Sequence, residues 1–420
     1  MKLFESERSG RLYQKVLELA GLFHSAGGRA LLVGGAVRDG LLGRQVKDFD
    51  LEIHGLSAAR VLEILQKNCE VDAVGMSFGV IKVKHLDLDI SLPRKENKTG
   101  AGHRGFLVEV SPDLSVAEAA ARRDFTVNAI MYDPLNCELL DPHGGIKDLQ
   151  NKILRHVSSH FSEDPLRVLR GMQFAARMGF EFAPETVRLC SEIDQNELAV
   201  ERIGTEWEKL LLQGRGISKG IGFLRQCGWE KFYPELAALS PEKRENTLIL
   251  LDRCASLRTC DRQKDLVLMG AALVCYMDDR GGFLRRLWNR SELIEKIILH
   301  AEALRRFIEA EEKTFGAPKA RRLALELKGV ELFCLLLQGS GFEKDACELK
   351  KLSLELGIFQ KAPEPLLTGK HGIEAGIRPG PALGKILKEC FEAQLDGAFC
   401  DQEGGRVFLK QLLNEQNASE

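Results

Sequence analysis

The chain has 420 residues, of which 44% are hydrophobic and 29% are charged. At about 100–200 residues per domain, this length predicts two to four domains, and the composition excludes wholesale disorder and a fibrous fold. The 59 Lys and Arg residues against 61 Asp and Glu give a formal net charge of −2. The chain is therefore no polycation, and any contact with nucleic acid must depend on local basic patches.

The cysteines and the N-terminus indicate the cellular compartment. Eleven cysteines are scattered without a C-x-x-C pair, which is typical of reduced thiols rather than a disulfide framework or a zinc ribbon. The N-terminus lacks the apolar run of a signal peptide, and no stretch of 18 apolar residues occurs. We predict a cytoplasmic protein without a membrane segment; the sequence leaves the oligomeric state undetermined.

The first 150 residues combine helical and strand patterns. Apolar residues at spacings of three and four predict a helix within residues 1–30, and strands are expected at 30–33 and 49–53 with a glycine pair and a short helix between them. Short β-branched runs follow at 71–74, 80–83, 86–90 and 106–110. This alternation predicts an α+β or α/β sheet domain. From about residue 162 onward, helical periodicity dominates.

Asp48 and Asp50 are the first chemical signal, since alternation in a strand places residues i and i+2 on one face. Two close carboxylates repel each other unless a cation lies between them, and with phosphate oxygens they form the site that Mg²⁺ prefers. Just upstream, Gly34-Gly35 would let the backbone approach a triphosphate, and Arg38 could bind one of its oxygens. Taken singly, these features are typical of a polar strand edge and a tight turn; their combination is far more specific.

The segment over residues 34–55, GGAVRDGLLGRQVKDFDLEIHG, resembles the signature of the DNA polymerase β-like nucleotidyltransferases. Within that superfamily it is similar to class II tRNA CCA-adding enzymes and bacterial poly(A) polymerases. Four later segments resemble further motifs of this family: RRDFTVNA at 122–129, DPHGGIKD at 141–148, EDPLR at 163–167 and ERIGTEWEK at 201–209.

The resemblance implies an α+β fold with an N-terminal DNA polymerase β-like sheet head followed by helical segments. We expect the head at 1–150, a base-selecting neck at 151–235, a body at 236–360 and a tail at 361–420. It implies that Asp48 and Asp50 are catalytic and hold Mg²⁺. The residues implied to bind nucleotide are Gly35, Arg38, Arg123, Asp124, Asp164, Arg167 and Arg170.

Asp164 and Arg167 also allow a physical interpretation. Cytosine and adenine each present an amino donor beside a ring-nitrogen acceptor, which an aspartate and an arginine match; guanine and uracil present the reverse pattern. Such a pair could select C and A without a template, although residues three apart on a helix are more often an exposed ion-paired stripe. The family often has a third arginine in this helix, for contact with phosphate or primer, at the position where this chain has Gln173. Arg177 is a candidate to supply that contact instead.

The expected function is the addition of C, C and A to the 3′ end of tRNA from CTP and ATP. The alternatives are an A-adding or CC-adding enzyme, a poly(A) polymerase or a catalytically silent RNA-binding relative. A glycine-punctuated interval at 94–105, read as a surface loop, resembles the flexible loop of full CCA-adding enzymes, whereas CC-adding relatives are described as lacking it.

The body and tail resemble HD-bearing relatives of the family. The body lacks histidine near Asn246 and near Cys275, where that phosphohydrolase module would carry metal ligands, so we expect a degenerate domain without a metal. The resemblance implies that the tail contacts the tRNA elbow, although a packed helical cap is the alternative. Its candidate phosphate contacts are Lys370, Arg378, Lys385 and Lys388.

Overall fold

The computed structural model of the chain describes residue 4 and residues 10–72, 79–98, 106–195 and 198–419. Its contacts divide the chain into two compact units, Met1–Phe232 and Tyr233–Glu420. The finer division into head, neck, body and tail stays a prediction. Across the described residues, no helix combines the length and the apolar character that crossing a membrane requires.

The strands belong to the first unit, and most of them build one mixed sheet. In chain order they are β1 (Arg29–Val33), β2 (Phe49–His54), β3 (Val71–Asp72), β4 (Val80–Val83), β5 (Leu88–Ser91), β6 (Arg94–Lys98), β7 (Phe106–Val110), β8 (Met131–Asp133), β9 (Glu138–Leu140), β10 (Ile153–Leu154) and β11 (Glu181–Phe182). Seven of them form a sheet in the order β3-β4-β5-β2-β1-β8-β9, while β6 pairs with β7 and β10 with β11.

The centre of the sheet fixes the position of the carboxylates. β1 runs antiparallel to β2 and places Val33 opposite Asp50, while β5 runs parallel to β2 and places Asp89 opposite Asp50. Buried side chains of β1 and β2 pack into the core, among them Leu32 and Leu51 at 0% exposure. The end of β1, the start of β2 and the turn after β1 therefore meet at one place.

The first helices of this unit alternate with the sheet strands along the chain, and the later ones follow the last strand of the seven-stranded sheet. They are α1 (Arg11–Ser25), α2 (Gly35–Leu41), α3 (Ala58–Asn68), α4 (Val116–Ala121), α5 (Gly145–Asn151), α6 (Leu166–Met178), α7 (Pro184–Glu192), α8 (Val200–Gln213) and α9 (Ile217–Gln226). α1 buries Val16, Leu19 and Phe23, which recur at the spacings of three and four from which a helix was predicted. α6 packs against α8 and α9.

The described part of the second unit consists of helices and their connections. The helices are α10 (Pro234–Ala237), α11 (Pro241–Ser256), α12 (Arg262–Val274), α13 (Arg280–Leu287), α14 (Ser291–Glu309), α15 (Ala317–Leu327), α16 (Glu331–Gly339), α17 (Glu343–Glu355), α18 (Gly369–Glu374), α19 (Pro381–Asp396) and α20 (Gln402–Ser419). Asn246 lies exposed on α11, and Cys275 follows α12 in the core.

The α+β expectation is confirmed: a mixed sheet near the N-terminus precedes a helical remainder. The interval read as a surface loop at 94–105 begins differently, because Arg94–Lys98 is strand β6 of a hairpin with β7. Residues 99–105 of that interval lie outside the described residues.

Candidate functional site

A cavity of about 1200 Å³ lies within the first unit. Its walls come from the turn before α2, the start of β2, the residues after α4, and helices α6 and α8. All nine residues predicted from the sequence line this one cavity, and their roles stay predictions. They are Gly35, Arg38, Asp48, Asp50, Arg123, Asp124, Asp164, Arg167 and Arg170.

The Gly34-Gly35 turn brings backbone close to the carboxylates. Gly34 has φ +70°, a conformation that side chains disfavour. A Cβ atom at Gly34 would lie 3.4 Å from Asp50 Oδ2 and 3.5 Å from Arg123 Nη1. Glycine therefore keeps the chain turning at this point and leaves the space above Asp50 open.

The carboxylates of Asp48 and Asp50 both reach the cavity, while Phe49 and Leu51 point into the core. β2 begins at Phe49, the start that the sequence predicted for this strand, so Asp48 lies just before it. Partial removal from water raises the pKa of Asp50, the Arg123 guanidinium lowers it, and the nearby carboxylates of Asp48 and Asp89 raise it further. The net result is a raised pKa, with burial as its largest cause.

Asp89, on the neighbouring strand β5, is a third carboxylate near the pair. It lies opposite Asp50 in the sheet, but its side chain reaches Lys82 with an N–O distance of 3.5 Å. The described part of the chain contains no group of three or more His, Cys, Asp or Glu side chains arranged to hold a metal ion. The carboxylate site therefore consists of the Asp48 and Asp50 pair.

Glu52 extends the same face of β2 and holds Arg123. Glu52 Oε2 accepts a hydrogen bond of 3.0 Å from Arg123 Nη2, and the His54 ring Nε2 lies 3.0 Å from Oε1. Glu52 is 7% exposed, and burial by itself raises its pKa. The Arg123 guanidinium and His54 outweigh burial, so the pKa of Glu52 is lowered and the ion pair is maintained.

A buried polar chain links the sheet to α6. Arg38 Nη1 donates to Asn128 Oδ1 at 2.6 Å, and Asn128 Nδ2 donates to Asp124 Oδ1 at 2.9 Å. Arg170 then donates to Asp124 Oδ2 through Nε at 2.8 Å. Burial raises the pKa of Asp124, but Arg170 and the hydrogen bonds outweigh it and the pKa is lowered. Arg38, Asp124 and Arg170 are therefore fixed by one another at the cavity wall.

Asp164 and Arg167 line the cavity, and the Arg167 backbone N–H donates to the Asp164 carbonyl at 3.0 Å while their side chains contact other partners. Asp164 Oδ2 accepts from Arg202 Nη2 at 2.9 Å. Arg167 donates to two backbone carbonyls, from Nη1 to His160 at 2.7 Å and from Nη2 to Arg122 at 2.8 Å. These contacts fix the orientation of both side chains at the wall.

Three residues of this site have no role predicted individually from the sequence: Glu52, Asn128 and Arg202. Glu52 could have been found, because it continues the alternation of Asp48 and Asp50 along the strand. Asn128 and Arg202 lay within segments that resemble family motifs, but nothing local indicates their partners, since Arg38 and Asn128 are 90 residues apart. Only packing brings those pairs together.

Comparison with known families and curated proteins gives matches over part of the chain. Residues 30–155 match the family model described as the poly A polymerase head domain. A "Multifunctional CCA protein" of Vibrio vulnificus (strain CMCP6) is 41% identical over 245 residues, which cover 54% of this chain and 58% of that protein. A protein of the same name from Xylella fastidiosa (strain 9a5c) is 42% identical over 190 residues, 44% of each chain. The chain thus spans about half the length of these curated relatives.

Solved structures match over nearly the whole length. The CCA-adding enzyme of Bacillus stearothermophilus, in complex with CTP, has a TM-score of 0.75 at 24% identity, covering 98% of this chain and 100% of that one. The Thermotoga maritima CCA-adding enzyme, complexed with tRNA, has a TM-score of 0.69 at 22% identity, covering 98% of each. At these identities the likeness establishes a shared fold.

Proposed function

Because the chain belongs to the family of class II tRNA nucleotidyltransferases and bacterial poly(A) polymerases, we propose that it adds C, C and A to the 3′ end of tRNA from CTP and ATP without a template. The observation that carries this proposal is one cavity that contains both a carboxylate pair, Asp48 and Asp50, and a base-reading pair, Asp164 and Arg167. The first suits phosphoryl transfer and the second suits the choice of C and A.

The family implies a divalent cation, and the residues present fit Mg²⁺. Asp48 and Asp50 are neighbouring oxygen donors; burial is the main cause of the raised pKa of Asp50, and the Asp48 carboxylate adds to it, so a bound cation would favour the ionised form of both. Two carboxylates with substrate phosphates match the usual coordination of Mg²⁺ in proteins. When bound, the ion would stabilise the charge that develops on the transferring phosphoryl group.

The chain's own residues bind and orient the nucleotide. Gly34 and Gly35 leave room for the triphosphate above Asp50. Arg123 is held by Glu52, and its Nε atom is buried without a hydrogen-bond partner among the described residues. A buried donor without a partner costs about 1–3 kcal/mol, so we assign this N–H to an oxygen of the incoming nucleotide.

Base choice follows from the fixed orientation of Asp164 and Arg167. A carboxylate has about four acceptor positions, so Asp164 can keep the hydrogen bond from Arg202 and still accept from the amino group of C or A. The two carbonyls that bind Arg167 hold its guanidinium plane in place at the cavity wall. Because both side chains are already held in place, little side-chain entropy is lost when they bind C or A. With G or U, the Asp164 acceptor would face an acceptor and the Arg167 donor would face a donor.

The tail residues proposed to contact tRNA remain compatible with that role. Lys370, Arg378, Lys385 and Lys388 are exposed on α18, on α19 or between them. Contacts of this kind hold the RNA backbone and read no sequence. We assign the tail to phosphate contacts with the tRNA elbow.

Incubation with tRNA ending before CCA, after C or after CC, with each labelled nucleotide supplied separately, tests the function. We expect CTP to extend the first two ends by the missing C residues and ATP to extend only the CC end, by one residue. Extension of CC ends alone would instead identify an A-adding enzyme, and CTP use alone a CC-adding enzyme. Long A tracts on arbitrary RNA would identify a poly(A) polymerase, and no incorporation a silent relative.

Glu52→Gln should impair nucleotide use. The change leaves the Arg123 guanidinium without its buried carboxylate, at a cost of about 1–3 kcal/mol, so we expect kcat/KM for CTP to fall roughly 10- to 100-fold. Steady-state kinetics on tRNA measure this. Glu63→Gln is the matched control, because Glu63 forms only exposed ion pairs on α3. Equal kcat/KM values for CTP in the two variants would show that Glu52 does not contribute to nucleotide use.

A further inference from the structure

Nine Lys and Arg residues line the cavity, but their charges are not compensated equally. Arg38, Arg123, Arg170 and Arg202 each form a salt bridge with a carboxylate at 3.0 Å or less. Arg177 and Arg215 differ: across the described residues, neither has a carboxylate oxygen within salt-bridge distance. Among the described residues, these two arginines therefore have no directly bonded carboxylate.

The backbone places Arg177 and Arg215 side by side. Arg177 lies in the last turn of α6, and Arg215 lies in the connection between α8 and α9. The backbone N–H groups of Arg215 and Gly216 both donate to the carbonyl of Ala176, at 2.9 and 3.1 Å. The connection is thereby fixed to the residue that precedes Arg177.

Gly214 makes this close approach feasible. A Cβ atom at Gly214 would lie 2.4 Å from the carbonyl oxygen of Leu210 and 3.2 Å from the Cβ of Ala176. The first distance excludes any side chain without a backbone shift. Glycine at this position therefore lets the α8–α9 connection reach α6 and sets Arg215 at the cavity wall beside Arg177.

The guanidinium of Arg177 is oriented in advance. Its Nη1 donates to Oε1 of Gln173 at 3.0 Å, and Gln173 is 1% exposed, so this acceptor is immobile. The guanidinium also lies 5.8 Å from the centre of the Phe174 ring. An arginine held by a buried amide and an aromatic ring loses little further freedom when it binds an anion.

Arg177 has neighbours of both signs. Burial lowers its pKa, and the Arg38 guanidinium lowers it further; Asp39 and Glu206 oppose these effects, and Arg44 adds the weakest lowering effect, so the net result is a lowered pKa. Arg44 forms only a long ion pair with Asp39, with a nearest N–O distance of 4.0 Å. An anion that binds here would relieve the repulsion among these arginines.

We propose that Arg177 and Arg215, with Arg44 beside them, form a phosphate-binding subsite that grips the backbone of the RNA 3′ end. This deepens the proposed function and rests on it. Guanidinium groups bind phosphate through paired N–H donors, which makes arginine the usual residue for such contacts. The cavity, at about 1200 Å³, exceeds the roughly 300–1000 Å³ of a small-molecule site. It therefore has room for an RNA end as well as a nucleotide.

The test compares Arg177→Gln and Arg215→Gln with Arg188→Gln, an exposed arginine of α7 outside the cavity. Fluorescence anisotropy measures binding of tRNA ending in CC over a salt series, without nucleotide. We expect each cavity variant to bind roughly 10-fold more weakly, with the slope of log K against log salt reduced by about 0.7–0.9 per lost contact, and the control to match wild type. Arg177→Lys, which keeps the charge, should lose less than Arg177→Gln.

Calorimetric binding of CTP and of tripolyphosphate, without RNA, distinguishes the source of the phosphate. If the cavity variants bind CTP and tripolyphosphate more weakly but bind RNA normally, the subsite belongs to the nucleotide triphosphate and the RNA assignment is overturned. Unchanged binding of RNA, CTP and tripolyphosphate in both folded variants would overturn the subsite itself. If wild type binds RNA through these arginines but incorporates no nucleotide, the subsite stands and the proposed function fails.

Discussion

Asp50→Asn is expected to abolish nucleotide addition while leaving the protein folded. The Asp48 and Asp50 carboxylates together supply the protein's share of the proposed Mg²⁺ site, and an amide does not replace a charged ligand. Metal stabilisation of phosphoryl charge is worth several kcal/mol, so loss of one ligand should reduce kcat by about three decades or more. Single-turnover addition of C to tRNA, with and without Mg²⁺, measures this.

Asp50→Asn should also change stability, in a direction that its pKa fixes. A carboxyl whose pKa is raised in the folded protein is destabilising whenever it is ionised, so the penalty is present at neutral pH and disappears as pH falls below the ordinary value near 3.8. The variant should therefore have the higher Tm at pH 7 without Mg²⁺, and Mg²⁺ should raise only the Tm of wild type.

Asp89→Asn is the matched variant for the carboxylate pair, because Asp89 lies opposite Asp50 on the neighbouring strand. Since Asp89 contacts Lys82 and joins no three-residue metal group among the described residues, we expect its loss to reduce kcat by less than about 10-fold. An Asp89→Asn variant as inactive as Asp50→Asn would show that three carboxylates share the metal. Near-normal nucleotide addition by Asp50→Asn would contradict the proposal that Asp50 is a Mg²⁺ ligand.

Arg167→Ala should change base selection. The guanidinium is the donor of the proposed base-reading pair, and its absence leaves the ring-nitrogen acceptor of C or A unpaired at about 1–3 kcal/mol. We expect either relaxed rejection of UTP and GTP by one to two decades, or a comparable collapse of CTP and ATP use. Competition between labelled nucleotides on tRNA ending in C or CC measures the ratio of kcat/KM values.

Asp164→Ala should act through the other half of the pair, the acceptor of the base amino group. Arg188→Ala, on the surface of α7, serves as the control for loss of an arginine in the same unit. Because Arg167 also holds the carbonyls of His160 and Arg122, thermal unfolding must accompany the kinetics. Normal CTP and ATP use with UTP still rejected, in folded variants of both residues, would contradict the edge-reading argument.

Much of the site could be predicted because its key residues are close in sequence. The Gly34-Gly35 turn and the two aspartates lie within 17 residues, and alternation along β2 places Asp50 on the face opposite buried Phe49 and Leu51. Prediction was less successful for the interval at 94–105. β6 occupies its beginning, although the interval was read as a loop, because strands depend on pairing partners that local sequence does not specify.

The sequence alone determined the properties that depend on neighbouring residues: the period of each helix and strand, the glycine turn beneath the cavity and the types of side chain available for chemistry. The tertiary structure alone decided which of those side chains hold one another. Glu52 and Arg123 are 71 residues apart, and Asp124 and Arg170 are 46 apart. Local backbone geometry repeats every two or 3.6 residues and fixes which face a side chain occupies. Ion pairs between distant segments form only where tertiary packing brings those segments together, and burial then holds the charged groups in place.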